Sequence, residues 1–125
     1  MLLEEVLNMF RKKTASNNEI DLDPNSAWEM VQNNQDNLNF VILDVRTPEE
    51  YEKSHIEGSV LINYQSPDFR DEIQKLDKNK TYLVYCRSGM RGAACIDIMM
   101  ETGFKKIYHI VGGIMGWENC GLPVK

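Results

Sequence analysis

The sequence predicts an α/β domain in which a central parallel sheet of four to five strands carries helices on both faces. Three observations predict it. Segments rich in β-branched and aromatic residues alternate with segments whose apolar residues recur at helical spacing, the order that builds strand–helix–strand crossovers. Phe40-Val-Ile-Leu43 is a continuous apolar run, the composition of a strand covered on both faces. Thr81–Glu101 passes from a strand-like run through a glycine-containing loop into an apolar run of helical period.

The elements follow in order. Residues 1–19 read as an N-terminal amphipathic helix and polar linker, and residues 20–125 as the domain. In the first piece Leu2, Leu3, Val6, Leu7 and Phe10 share one helical face, and Arg11, Lys12 and Lys13 suit the negative end of the dipole. Its expected role is to pack on the domain or a dimer mate, with a membrane surface or a partner protein as the alternative. Ile20–Leu22 reads as a short edge strand, after which Asp23 and Pro24 carry the N-cap and first-position syntax of a helix bearing Ala27, Trp28, Met30 and Val31. The strand at residues 40–44 follows, and Thr47-Pro-Glu-Glu50 then spells an N-cap, a proline and a capping-box glutamate. Strands are expected at 59–62, 81–85 and 107–110. Ser66-Pro67 repeats the helix-start syntax ahead of Phe69, Ile73 and Leu76, and Gly103 closes the helix that follows the loop. Gly112-Gly113 leads into a last helix with Ile114, Met115 and Trp117.

Composition bounds the function. A chain of 125 residues with 42% hydrophobic and 26% charged residues fits one globular domain, and no apolar stretch is long enough for a transmembrane segment. The net charge of −5 disfavours a nucleic-acid partner, which needs a basic face. Three cysteines, at 86, 95 and 120, make neither a metal-ligand spacing nor an even disulfide framework, which fits a reducing compartment. Glu4 and Glu5 interrupt what would be the apolar core of a secretory signal. The expected location is therefore cytoplasmic, and the expected state a monomer or weak homodimer.

The loop Cys86-Arg-Ser-Gly-Met-Arg91-Gly92 holds the candidate chemistry. Amides at the start of the following helix, together with its dipole, favour a thiolate at Cys86, the nucleophilic form. Gly89 and Gly92 let successive amides turn inward as an anion-binding nest. Arg87 and Arg91 add cationic donors, and no acidic residue lies between Asp77 and Asp97. Cys86 is the expected nucleophile, with Arg87, Ser88, Gly89, Met90, Arg91 and Gly92 as the substrate-binding loop. Cys95 sits among Ala94, Ile98 and Met99 as core, whereas Cys120 has the setting of an exposed residue. His55 is read as structural in preference to a general base, and His109 as a strand residue without catalytic duty.

Together with Leu43-Asp-Val-Arg-Thr-Pro-Glu-Glu-Tyr51, His55-Ile-Glu-Gly58 and Gly112-Gly113 with Trp117, this loop resembles that of single-domain rhodaneses, over roughly residues 20 to 125. The resemblance implies the three-layer rhodanese-like fold and a sulfurtransferase that carries sulfur as a Cys86 persulfide. It implies thiosulfate or a persulfide as donor, cyanide or a small or protein thiol as acceptor, and neither a metal nor an organic cofactor. Asp44 and Arg46 take the family's structural positions near the site. The chain departs from the family at Ser54 and Glu57, and at Gly92, where many relatives carry a serine. That last change removes one possible hydroxyl donor to the sulfur. Phosphatases and arsenate reductases of the same fold have five residues between cysteine and arginine, against four here. A non-catalytic binding module is the remaining alternative, and such modules often lack the cysteine that this chain keeps.

Overall fold

The structure, a computed structural model, describes residues 20–125. The N-terminal helix and linker expected over residues 1–19 lie outside the described residues. Five strands, β1 (Asp21–Leu22), β2 (Phe40–Asp44), β3 (Val60–Leu61), β4 (Thr81–Tyr85) and β5 (Lys106–Ile110), form one sheet. Their order is β1-β5-β4-β2-β3, and every neighbouring pair is parallel. The helices are α1 (Pro24–Asn33), α2 (Pro48–Lys53), α3 (Phe69–Gln74), α4 (Met90–Glu101) and α5 (Gly113–Asn119).

Because side chains alternate along a strand, the buried runs feed two cores at once. Leu43, Val45, Tyr82, Val84, Cys86 and Ile107 meet α3 and α4 on one face. Ile42, Leu83, Tyr85 and Ile110 meet α1 and α5 on the other. Trp117 of α5 is wholly buried there, with Trp28 of α1 edge-on at 5.6 Å between ring centres. These are the predicted three layers.

The strand order places the site. From β2 the chain moves outward to β3, and from β4 it moves the opposite way to β5. The carboxyl ends of β2 and β4 therefore form a topological switch point, where the following loops part and leave a crevice. Asp44 and Tyr85 are register partners at that end, and the Val45 N–H donates to the Tyr85 carbonyl at 3.0 Å.

Local syntax explains most helix starts. Asp23 Oδ1 accepts from the Ser26 N–H at 2.7 Å, with Pro24 first in α1. Thr47 and Glu50 form a reciprocal capping box on α2. Ser66-Pro67 does not start α3. Ser66 instead makes a turn, its hydroxyl accepting from the Asp68 N–H at 3.3 Å and its carbonyl from the Phe69 N–H at 3.1 Å, and Asp68 takes the N-cap position without a side-chain bond. The third strand is also shorter than expected, two residues at the sheet edge, since it has one neighbour only.

Candidate functional site

Cys86 directly follows β4 and is 1% exposed. Two neighbouring helices shape the loop around it. At the start of α5 the Ile114 and Met115 N–H groups, which have no partner within their own helix, donate to the carbonyls of Cys86 (2.9 Å) and Arg87 (3.1 Å). Gly113 makes this approach possible. Its φ is +62°, and a β-carbon there would lie 2.4 Å from the Arg87 carbonyl oxygen. With those carbonyls drawn toward α5, the amides of the loop are left to face the sulfur.

The Gly89 N–H donates to Cys86 Sγ at 3.0 Å. Gly89, at φ +128°, is the N-cap residue of α4, and no side chain caps that helix. The cysteine sulfur occupies the place a cap would take, at the positive end of the helix. Burial pushes the thiol pKa up, but the His109 imidazole and then the amides of Gly92, Gly89 and Ser88 outweigh it and bring the value down to about 7. Cys95, buried on α4 without such donors, is pushed up to about 12 by burial, so it stays a thiol. Cys120 is exposed.

The other residues expected at the site divide. Arg87, Ser88 and Met90 are exposed around the loop, and Met90 is the first residue of α4. Gly92 is buried behind the sulfur. Arg91 turns its fork to α2, donating to Glu50 Oε1 at 2.7 Å and Oε2 at 2.9 Å. This two-bond pair raises the guanidinium pKa and holds the Glu50 carboxyl down at about 2. Within the acid-free stretch of sequence, Arg91 is thus paired by a glutamate from another element, while Arg87 stays exposed. Asp44 and Arg46 form a buried pair, with Nη2 to Oδ2 at 2.7 Å, and the same Nη2 donates to the Ser54 carbonyl at 2.7 Å. His55 stacks on Tyr51 with ring centres 3.8 Å apart, and its Nδ1 lies 2.8 Å from the Tyr51 carbonyl.

His109 is a strand residue, as the sequence suggests, and the fold places it near the cysteine. It sits on β5 opposite Val84, on the face that carries Cys86, and is 6% exposed. Nε2 has no well-aligned hydrogen-bond partner, so its effect on the sulfur is one of proximity. The available signal was a histidine amid Ile107 and Ile110, inside a strand covered on both faces; strand register, which sequence does not display, brings it to the cysteine. A groove of about 310 Å³ runs beside the loop, lined by Asp21, Ser88, Gly89, Ala93 and His109 among others. A larger cavity of about 470 Å³, bounded by Trp28, Phe40 and Ile56, includes none of the loop residues.

Comparison with known proteins bears on the family and the fold. Residues 23–120 match the model of the rhodanese-like domain. The chain is 30% identical over 106 residues to thiosulfate sulfurtransferase GlpE of Actinobacillus succinogenes, covering 84% of this chain and 89% of the relative. It is 33% identical over 92 residues to GlpE of Coxiella burnetii, covering 74% and 80% respectively. A crystal structure of a rhodanese-related protein from Thermoplasma volcanium superposes with a TM-score of 0.72 at 28% identity, over 84% of this chain and 96% of the other. A cysteine held at the switch point of a five-stranded parallel sheet and a family match across most of the domain lead to one conclusion: the chain belongs to the rhodanese-like domain family.

Proposed function

We propose that this protein is a sulfurtransferase that moves a sulfane sulfur from thiosulfate or a persulfide donor to a thiol or cyanide acceptor through a persulfide on Cys86. The observation that carries the reading is the environment of the sulfur: an amide at 3.0 Å, a helix start left without a side-chain cap, and a pKa near 7. A thiolate is then well populated at neutral pH, and it is the nucleophile that the reaction requires.

In the first half-reaction the thiolate attacks the outer sulfur of thiosulfate. A new S–S bond forms at Cys86, the old one breaks, and sulfite departs with the electron pair. The persulfide anion then meets the inward amides of the 86–92 loop, which stabilise charge wherever it sits on the sulfur chain. In the second half-reaction a thiolate or cyanide takes the outer sulfur and restores the Cys86 thiolate. Arg87, exposed on the rim, attracts the anionic donor. Arg91 serves the loop differently, since its fork is filled by Glu50. That occupation also weakens the phosphatase reading, which calls for a guanidinium free to grip phosphate oxygens.

The test is intact mass. Incubation with thiosulfate adds one sulfur to the parent protein and none to Cys86→Ser, and cyanide removes it as thiocyanate. Absence of added sulfur on the parent with every sulfane donor tried would return the protein to the binding-module reading.

A further inference from the structure

A buried histidine with one unpartnered nitrogen beside a reactive thiol is the feature the proposed sulfur transfer leaves unexplained. Three strands assemble it. Asp21 and His109 are register partners across the β1–β5 pair, and Asp21 Oδ1 lies 3.3 Å from His109 Nδ1. The imidazole is thereby turned with Nε2 toward the end of β4, where Cys86 stands, and that nitrogen is buried without a hydrogen-bond partner. Gly92 clears the space. A β-carbon at position 92 would lie 2.5 Å from His109 Nε2, 2.8 Å from Cδ2 and 3.6 Å from Cys86 Sγ. An imidazole at 109 in this pose and any side chain at 92 therefore exclude each other. The missing β-carbon, which costs helix propensity in the first turn of α4, is what the imidazole requires.

We propose that His109 is the proton acceptor for Cys86, that Asp21 holds its Nδ1–H, and that Gly92 is the residue that admits it to the sulfur. The Cys86 S–H bond breaks, its electron pair stays on sulfur, and the proton forms the Nε2–H bond of an imidazolium. Thiolate and imidazolium remain as a pair of zero net charge. When the thiolate attacks the donor sulfur, the Nε2 proton stays in place and faces the sulfur chain as a hydrogen-bond donor. The site is thus a cysteine–histidine–aspartate arrangement, supplying by a side chain the donor that Gly92 lacks.

Among the described residues, the titratable and charged groups that bear on this pair come from two elements. Asp21 lies on β1, and from α4 come Asp97, which shares the groove, Arg91 and Cys95, which act on the sulfur. Burial opposes a charged imidazole, while Cys86 and Asp21 favour it, and the balance raises the His109 pKa.

The inference rests on Cys86 being the reactive thiol, and its test uses no sulfur donor. In a full-length Cys120→Ser background, alkylation of Cys86 by iodoacetamide is followed by intact mass as a function of pH. His109→Asn and His109→Gln should each move the profile up by about one pH unit, which is about a tenfold slower rate near pH 6 and the same rate well above the thiol pKa. Gly92→Ala should produce the same displacement, and Gly92→Ala combined with His109→Asn should be no slower than either alone. Asp21→Asn should give a smaller shift in the same direction. In the reciprocal measurement, the NMR titration midpoint of His109 should fall in Cys86→Ser. Superimposable alkylation profiles for folded His109 variants, additive effects of the 92 and 109 changes, or an unmoved His109 midpoint would each overturn the proposal. Because sulfur loading is measured separately, failure of the transferase reading and failure of the proton acceptor give different results.

Discussion

Gly113 shows how one missing β-carbon can govern a site it does not line. Its backbone reaches the Cys86 and Arg87 carbonyls, and an added β-carbon would meet Arg87 O at 2.4 Å and Cys86 O at 2.5 Å. Both obstacles are backbone, so neither can swing aside, and the φ of +62° disfavours a side chain independently. Gly113→Ala should therefore destabilise the domain by about 2–4 kcal/mol and slow Cys86 alkylation at the same time. Gly121→Ala is the comparison, since φ is +74° there but nothing lies within 4 Å. It should cost only the conformational part, about 1 kcal/mol, and leave the thiol unchanged. Equal losses for the two variants, by thermal melting, would mean that the contact with the loop carries no weight.

At the scale of elements, Glu50 joins a local device to a distant one. It completes the capping box of α2, accepting from the Thr47 N–H at 3.2 Å, and its two oxygens take the Arg91 fork across the switch point. The cap was legible in Thr47-Pro-Glu-Glu50 because N-cap and N3 residues are three apart in any helix. The ion pair was not, because its partners stand 41 positions apart and meet only through the strand order. Ser66-Pro67 shows the converse, helix-start syntax spent on a turn because the Ser66 oxygens bond Asp68 and Phe69 at once. For Glu50→Gln the sign follows from the carboxyl pKa, held down at about 2 from 4.5 chiefly by Arg91. Stability from a depressed carboxylate is complete above its unfolded value and fades as pH falls through the folded one. The variant should lose about 1–2 kcal/mol at neutral pH, after allowance for solvent at a partly exposed pair, and melt about 5 °C lower. The deficit should shrink below about pH 4 as the parent loses its own carboxylate. Thr47→Ala, which removes the cap and spares the pair, should lose about 1 kcal/mol with no such convergence in acid.

On the scale of the whole molecule, alternation of strand and helix, a parallel sheet and the loop after the third long run could all be read from periodicity, because each is set by nearest neighbours along the chain. Strand order could not, and it is strand order that places β5 beside β4, His109 beside Cys86 and Asp21 beside His109. Asp44 and Arg46 illustrate both sides. Their position at a strand end was visible, whereas the way they tie the molecule together is tertiary. Asp44 is fully buried and accepts from the Arg46 side chain and backbone N–H. Arg46 reaches the Ser54 carbonyl and lies over the Tyr85 ring, 5.5 Å from its centre. The Tyr85 hydroxyl in turn accepts from the Ile56 N–H at 3.1 Å and meets Ser59 Oγ at 3.0 Å. One ion pair thus secures the carboxyl ends of β2 and β4 and the connection from α2 to β3. Removing one partner leaves the other charge buried and unpaired, at a cost of about 3–5 kcal/mol, against a total domain stability of about 5–15 kcal/mol. Arg46→Met should therefore bring the domain close to unfolding at room temperature, whereas Asp44→Leu combined with Arg46→Met should recover a large part of the loss by removing both charges at once. Urea titration of the parent, the single variant and the double variant reads this directly. A double variant as unstable as Arg46→Met would show that the Ser54 bond and the Tyr85 contact, rather than charge pairing, hold the switch point together.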